Sequence, residues 1–568
     1  MFTIYDEQKY PNKMTPLKII KMGSDVGATK NMVVYESGDD IIIVDCGVGF
    51  PDGETLGVDV VIPDITYLLE NREKVRGIFV THVHEDHFGA IPYIIEDLPV
   101  PIYTNRIAIE FIKERIKDKG VKNPDAVKFN LITPETPEVI LGNFKIKAIG
   151  INHSVPSPMG FAITTPQGTI LHMADYKIDW TPVLDKPIEL GKIANYGDAG
   201  VLCLLSDCLG VTADGYTKSE RTLDESFDHF IGNAAGRQLF VTTISSNVSR
   251  MYQIINAARK HGRKVVFSGR SIDQSSQIAR ELGFLPFDSD TFVPEKEAKD
   301  HTQDSLVYII AGCYGQTGSG LYRLSIGEHN NITLEPNALV IFSADPFPGV
   351  EENVERLLHN LTVSGAEVLY SEIQDNLHVS GHGLKGDLAT VSALSKAKFY
   401  IPIGGTAAKM RAYTNMVKEL GVTKDRVFEL LEGQTLIFDE AGARLGDRLE
   451  LKQVYIDGRN NDTLSPIVVK DREQLSTEGV FVVFVPQTQN GNILSDKIDV
   501  VTRGFIYVKG SQELMDESRK YVTKTLNKLM AKNKEPAALK KKCERELADF
   551  LYKKTGRTPL VIVHNVQI

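Results

Sequence analysis

The chain has no paired cysteines, no long apolar run and no surplus of positive charge, and each absence removes a class of protein. Its 5 cysteines in 568 residues (Cys46, Cys203, Cys208, Cys313 and Cys543) are odd in number, scattered and without a Cys-x-x-Cys pair. Neither a disulfide framework nor a thiolate zinc site is expected, and all five read as reduced core residues. No stretch approaches the roughly 18 apolar residues of a membrane span, and Met1-Phe2-Thr3-Ile4-Tyr5-Asp6 lacks a signal-peptide pattern. The expectation is a cytoplasmic protein with no membrane partner. A formal charge of −10 gives nucleic acid no general hold, so any RNA or DNA site has to be a local groove in which metal supplies part of the positive charge. With 42% hydrophobic and 24% charged residues, the composition is that of an ordinary globular chain, long enough for about three or four domains.

What the chain does have is histidine concentrated in one place. Only 13 histidines occur in 568 residues, yet three stand in Thr81-His82-Val83-His84-Glu85-Asp86-His87. Gly77-Ile78-Phe79-Val80 reads as a short buried strand and residues 88–95 as the start of a helix, so the cluster lies on a strand-to-helix turn. Imidazole and carboxylate suit zinc or manganese, and the His-x-His-x-Asp-His spacing lets one turn serve two ions. His82 and His84 point the same way from an extended backbone, while Asp86 and His87 reach a neighbour from the helix start. Two ions about 3.5–4 Å apart are a device for hydrolysing phosphodiesters. A solvated polar loop without metal is the plainer alternative, but it leaves the clustering of a scarce residue unexplained.

Upstream, residues 17–22, 32–35 and 40–47 read as successive strands. Asp45 closes the third, either as a turn-former before Gly47 or as an acceptor that orients a ligand histidine. Downstream, residues 107–118 are helical and 139–149 form a hairpin. His153 then leaves a strand on a Pro-containing loop, and Asp175 sits where the strand through His172 stops. A third imidazole and an aspartate able to bridge two ions are what the turn cluster lacks.

Asp45, His82-x-His84-x-Asp86-His87, His153 and Asp175, in that order, resemble the motifs of the metallo-β-lactamase fold, an αββα sandwich with metals at one edge of two packed sheets. Strand and helix patterns then alternate through residues 204–310, suggesting an inserted parallel-sheet domain of about 150 residues. Leu377-His378-Val379-Ser380-Gly381-His382-Gly383 resembles the β-CASP nucleases, and within them the ribonuclease J family. Residues 56–65, Ser246-Asn247-Val248 and Thr502-Arg503-Gly504-Phe505-Ile506-Tyr507-Val508 carry the same likeness. The expected architecture is α/β: a metallo-β-lactamase domain in two parts (1–220 and 371–455), a β-CASP domain (221–370), a polar linker (456–465) and a small C-terminal α/β domain (466–568). Strands of the last are expected near 479–485, 505–509 and 560–563.

The resemblance implies one metal at His82, His84, His153 and Asp175 and another at Asp86, His87 and the shared Asp175. Zinc is expected, with manganese or magnesium as alternatives. Asp86 would also orient the attacking water, and His382 would donate to the leaving oxygen or hold a phosphate oxygen. Ser246, Asn247 and Val248 with His378, Val379, Ser380, Gly381 and His382 would bind the 5′-monophosphate of an RNA end, with Arg250 as a weaker ally. Their donors suit phosphate, and Ser246-Asn247 can also cap a helix.

Three departures from the family pattern stand out. Pro-Val-His-Gly-Glu, whose histidine completes the second metal site, is here Pro402-Ile403-Gly404-Gly405-Thr406, which weakens that site. Ser-Asn-Val-His-Arg becomes Ser246-Asn247-Val248-Ser249-Arg250, and Gly-Ser-Gln-Gly-Glu-Pro becomes Gly312-Cys313-Tyr314-Gly315-Gln316-Thr317. The function expected is a 5′-to-3′ exoribonuclease on 5′-monophosphorylated RNA, with endonuclease activity, in RNA decay and maturation. The alternative is a weakly active or inactive RNA-binding partner subunit. The oligomer expected is a homodimer or homotetramer, or a hetero-oligomer with a paralogous ribonuclease J subunit.

Overall fold

The computed structural model describes residues 15–24, 29–51, 55, 57–346, 349–457, 462–488, 494, 497–506, 512–530 and 536–567. The chain divides into two units, Met1–Phe50 with Val61–Val454, and Pro51–Val60 with Tyr455–Ile568.

The first unit is built on two packed sheets. One has eight strands, in the order Gly442–Leu445, Thr435–Asp439, Leu17–Lys21, Val33–Ser37, Asp40–Val44, Val75–Phe79, Ile102–Thr104 and Phe129–Leu131. The other has six, in the order Phe399–Ile403, Val201–Asp207, Gly168–His172, Met159–Thr165, Phe144–Gly150 and Val139–Leu141. Alternate residues of each strand point to opposite faces. Leu17, Ile19, Tyr35 and Ile42 of the first sheet thus meet Phe144, Ile146, Phe161 and Leu205 of the second in one apolar layer. The outer face of the second sheet, through Ile149, Leu171 and Leu204, packs on the helices Leu190–Ala199, Lys385–Ser395 and Ala407–Glu419. This is the αββα sandwich.

Strand direction decides where the chemistry gathers. Asp40–Val44 runs parallel to Val75–Phe79, and Gly168–His172, Val201–Asp207 and Phe399–Ile403 are mutually parallel. Phe144–Gly150 and Gly168–His172 are each antiparallel to the strand between them, so they too run the same way. The residues that follow these strands, including Asp45, the 81–87 turn, His153, Asp175 and Gly404, therefore emerge at sheet ends rather than inside ladders.

Between Val201–Asp207 and Phe399–Ile403 the chain builds a separate five-stranded sheet in the order Lys264–Ser268, Leu306–Ile310, Leu239–Thr242, Leu339–Phe342 and Glu367–Leu369. Every pairing in it is parallel, as the alternating pattern predicts. A buried ionic chain ties this insertion to the sandwich. Arg250, in the helix Val248–Lys260, reaches Glu220 at 2.8 Å, and Glu220 reaches Lys177 at 3.2 Å, beside Asp179 at 3.7 Å, with all four side chains at most 3% exposed. Burial opposes the Glu220 charge, yet Arg250 and Lys177 hold its carboxyl down at about 2.

The second unit has a three-stranded sheet, Asp499–Arg503, Val480–Gln487 and Leu560–Gln567, with Val480–Gln487 in the middle. Phe481, Val483 and Val485 pack with Val522, Leu526, Leu547 and Leu551 of the helices Gln512–Met530 and Pro536–Thr555. The strand expected at 505–509 is instead Asp499–Arg503: Gly504 at φ 70° ends it, and Phe505 and Ile506 follow in a bend. Residues 507–509 lie outside the described residues, as do 458–461 of the expected linker. On either side of the latter, Tyr455, Ile456 and Asp457 pair with Leu464, Thr463 and Asp462.

Glu220→Gln breaks the buried pair with Arg250, and the expected cost is about 3–5 kcal/mol of stability. Because the folded carboxyl titrates below its unfolded value, its contribution is present above about pH 4.5 and is lost as pH falls toward 2. Urea unfolding should therefore show a weaker acid dependence across that window in the variant; an unchanged midpoint would contradict the role of this pair.

Candidate metal centre

Val75–Phe79 delivers Thr81 and His82, fully buried, to the edge of the sandwich, and the helix Glu85–Phe88 turns Asp86 and His87 back toward them. His153 arrives from the loop after Phe144–Gly150 and Asp175 from the loop after Gly168–His172. His84 Nδ1 lies 3.0 Å from His82 Nε2 and 3.0 Å from His153 Nε2. On the other side, His87 Nε2 lies 3.1 Å from Asp175 Oδ2 and 3.4 Å from Asp86 Oδ2. His382 Nε2 stands 3.9 Å from Asp175 Oδ2.

The outer nitrogens fix what the inner ones can do. Thr81 Oγ1 donates to Asp45 Oδ2 at 2.9 Å, so it accepts from His82 Nδ1 at 2.9 Å and leaves the His82 Nε2 lone pair facing inward. His153 Nδ1 donates to the Gly381 carbonyl at 2.7 Å, with the same result for its Nε2. His84 Nε2 has Ser154 Oγ at 3.3 Å, which leaves Nδ1 for the interior. His87 Nδ1 donates to Asp45 Oδ2 at 2.8 Å. Three lone pairs thus point at one spot with no proton to share among them. That is a poor arrangement for hydrogen bonding and a good one for a divalent cation, which takes imidazole nitrogens at about 2.0–2.1 Å.

The electrostatics agree. Burial, aided by neighbouring imidazoles, pushes His84 and His153 down to about 3 and His82 well below its ordinary value, so all three stay neutral ligands. Asp175 is held well below the carboxylate range: burial opposes its charge, but His87 and His382 prevail. Burial would lower His382, but Asp207 and Asp175 raise it to about 9, and its Nδ1 donates to Asp207 Oδ2 at 2.7 Å. The backbone is strained on both sides of the centre. Asp45 and Ala174 have φ of 63° and 51°, a region that costs a non-glycine residue about 1–2 kcal/mol.

Of the residues expected to hold an RNA end, Gly381 and His382 reach the metal edge, and Ser380 Oγ accepts from His382 N at 3.1 Å. Gly381 has to be glycine, since a Cβ there would lie 2.7 Å from the His153 ring. Val379 is buried, and His378 lies 3.4 Å from the buried Arg250, where burial and that guanidinium push it down to about 4. Asn247 Oδ1 caps the helix Val248–Lys260 by accepting from Arg250 N at 2.9 Å, Ser246 is half-buried just before it, and Val248 is buried in its first turn. Sequence reasoning missed Thr81, Asn31 and Asp207. Asp207 ends a strand, like Asp175, and that pattern could have found it. His172 hydrogen-bonds outside the cluster, its Nδ1 2.7 Å from the Tyr35 hydroxyl.

Two packed sheets with this edge of histidine and aspartate define a metallo-β-lactamase-type protein, a class whose fold implies divalent metal. Residues 27–231 match the metallo-beta-lactamase superfamily, 236–361 the ribonuclease J beta-CASP domain and 467–568 the ribonuclease J C-terminal domain. The chain is 32% identical to ribonuclease J 1 of Streptococcus pyogenes over 97% of both chains. It is 31% identical to ribonuclease J2 of Bacillus subtilis over 96% of this chain and 98% of that one. With ribonuclease J of Helicobacter pylori it shares 32% identity over 97% of this chain and 80% of the other. The chain belongs to the ribonuclease J family. A protein of unknown function from Enterococcus faecalis V583 shares the fold, with a TM-score of 0.52 at 14% identity over 74% of this chain and all of that one. Among the described residues no helix is long and apolar enough to cross a membrane.

Thr81→Val keeps the side-chain shape but removes the acceptor of His82 Nδ1. Zinc affinity, read by competition with a chromophoric chelator, is expected to fall about 10–100-fold; unchanged affinity would remove Thr81 from the account.

Proposed function

We propose that the chain is a metal-dependent ribonuclease, a 5′-to-3′ exoribonuclease on 5′-monophosphorylated RNA with internal cleavage as a second mode, acting in cytoplasmic RNA decay and maturation. The observation that carries this reading is the inward convergence of His82 Nε2, His84 Nδ1 and His153 Nε2 opposite Asp175, in a ribonuclease J-family chain. Zinc is the first candidate for these ligands, with manganese or magnesium as alternatives. Asp86 and His87 face the shared Asp175 as a second, weaker position, because Gly404 brings no ligand. A divalent ion held by these residues would polarise the scissile phosphate and favour ionisation of the attacking water.

The chain's own groups take the remaining roles. Asp86 orients the water. His382, protonated at neutral pH through its contact with Asp207, donates to the leaving oxygen. Ser246, Asn247 and Val248 at a helix N-terminus, with His378, Val379, Ser380 and Gly381, hold the terminal phosphate. The working form is an oligomer of this chain or of this chain with a ribonuclease J paralogue.

A time course on 5′-monophosphorylated RNA with zinc or manganese should release mononucleotides progressively, much faster than from 5′-triphosphorylated RNA. His84→Ala should abolish release while leaving the circular dichroism spectrum unchanged. RNA binding without cleavage would make the chain an RNA-binding partner subunit instead, and full activity in His84→Ala would contradict the mechanism.

A further inference from the structure

Asn31 stands just ahead of the strand Val33–Ser37 and lines one cavity at the metal edge together with Asp45, His87, Asp175 and Gly404. Its side-chain amide nitrogen donates to Asp86 Oδ2 at 3.0 Å and lies 3.0 Å from His87 Nε2. Exchanging the two ends of the amide would set a carbonyl oxygen against the Asp86 carboxylate, so the nitrogen is held in this direction. The main chain is tied to the same turn. Asn31 N donates to the Asp86 carbonyl at 2.9 Å, and Gly47 N donates to the Asn31 carbonyl at 3.0 Å. One residue thus grips both the backbone and the carboxylate of Asp86.

What fixes Asn31 lies one residue back. Lys30 adopts φ 56°, a region that a lysine occupies only under constraint. Its ammonium, 3% exposed, pairs with Glu432 Oε1 at 2.6 Å and reaches Gln453 Oε1 at 3.4 Å. The lysine charge is therefore matched by Glu432, while the group turned to the metal edge is a neutral amide. A cation in its place would oppose a metal ion. The amide orders the carboxylate without adding charge.

This order matters because ligands for a second ion are few. His87 Nε2 has Asp175 Oδ2 at 3.1 Å and Asp86 Oδ2 at 3.4 Å, and Gly404, whose Cβ would stand 3.4 Å from Asp175 Oδ1, supplies no side chain. Asp86 lies on the one-turn helix Glu85–Phe88 with 19% of its side chain exposed, so without a partner its carboxylate is free to turn to water. A carboxylate oxygen has more than one lone pair, so Oδ2 accepts from Asn31 and still faces the centre. We propose that Asn31 is a positioning residue that holds Asp86 in place for a second divalent ion, offsetting the missing ligand at Gly404. This rests on the metal-dependent reading of the centre and deepens it: the second position depends on the Asn31 amide and the first does not.

Stepwise zinc binding to the full chain, followed by competition with a chromophoric chelator and counted by native mass spectrometry, tests this apart from activity. The natural protein is expected to take up two ions, the second more weakly. Asn31→Ala should weaken the second step about 10–100-fold, the scale for losing a group that orients a ligand, and leave the first unchanged. With 5′-monophosphorylated RNA the same variant should lower kcat and leave KM unchanged, since Asn31 acts on Asp86 and not on RNA. The first step also reports the fold. Should Asn31→Ala lose it, the near-isosteric Asn31→Leu, which removes only the amide, decides by the same two steps. An unchanged second step, a single zinc in the natural protein, or loss of both steps in both variants would overturn the proposal while leaving the nuclease reading in place. Two-step binding altered as expected, with no cleavage of RNA by the natural protein, would overturn the nuclease reading and retain Asn31 in its role.

Discussion

The centre depends on a constraint at its periphery: each imidazole that faces inward is held from outside through its other nitrogen. Thr81, Gly381 and Asp45 take the outer nitrogens of His82, His153 and His87. The inner lone pairs of His82 and His153 are then left facing their shared neighbour His84 with no proton between them, while His87 Nε2 faces Asp175. Asp45 sits at the hub, accepting from Thr81 N, Thr81 Oγ1 and His87 Nδ1 at once. Its left-handed backbone is tolerated because those three bonds over-determine its position.

The same logic extends outward. Gly381 belongs to the His378–His382 stretch between the inserted sheet and the sandwich helix Lys385–Ser395, so the loop that fixes His153 also carries His382 and His378. His378 lies against Arg250, Arg250 pairs with Glu220, and Glu220 pairs with Lys177, two residues beyond Asp175. The segment that carries the metal ligand and the helix Val248–Lys260 of the inserted domain are thereby connected through buried charges. Such a chain leaves little freedom to the segment that carries Asp175.

Much of this was legible in the sequence because two periodicities marked it. Parallel strands, buried on both faces, read as short apolar runs, and residues such as His82, Asp45 and Asp175 announced themselves by following them. The insertion was legible for the same reason. What escaped depends on contacts rather than spacing. Thr81 and the Gly381 carbonyl matter through which nitrogen they engage, and no pattern displays that. Asp207 had the right signal, a carboxylate ending a strand, but its partner His382 lies 175 residues away. In the C-terminal unit, Phe505 and Ile506 have strand composition, but the positive φ of Gly504 ends the ladder before them.

The most direct test is the position of bound metal. Anomalous diffraction at the zinc edge from crystals of the full chain grown with zinc should show a peak bounded by His82 Nε2, His84 Nδ1 and His153 Nε2, with Asp175 alongside. A peak elsewhere, or none at a concentration that supports cleavage, would contradict the account.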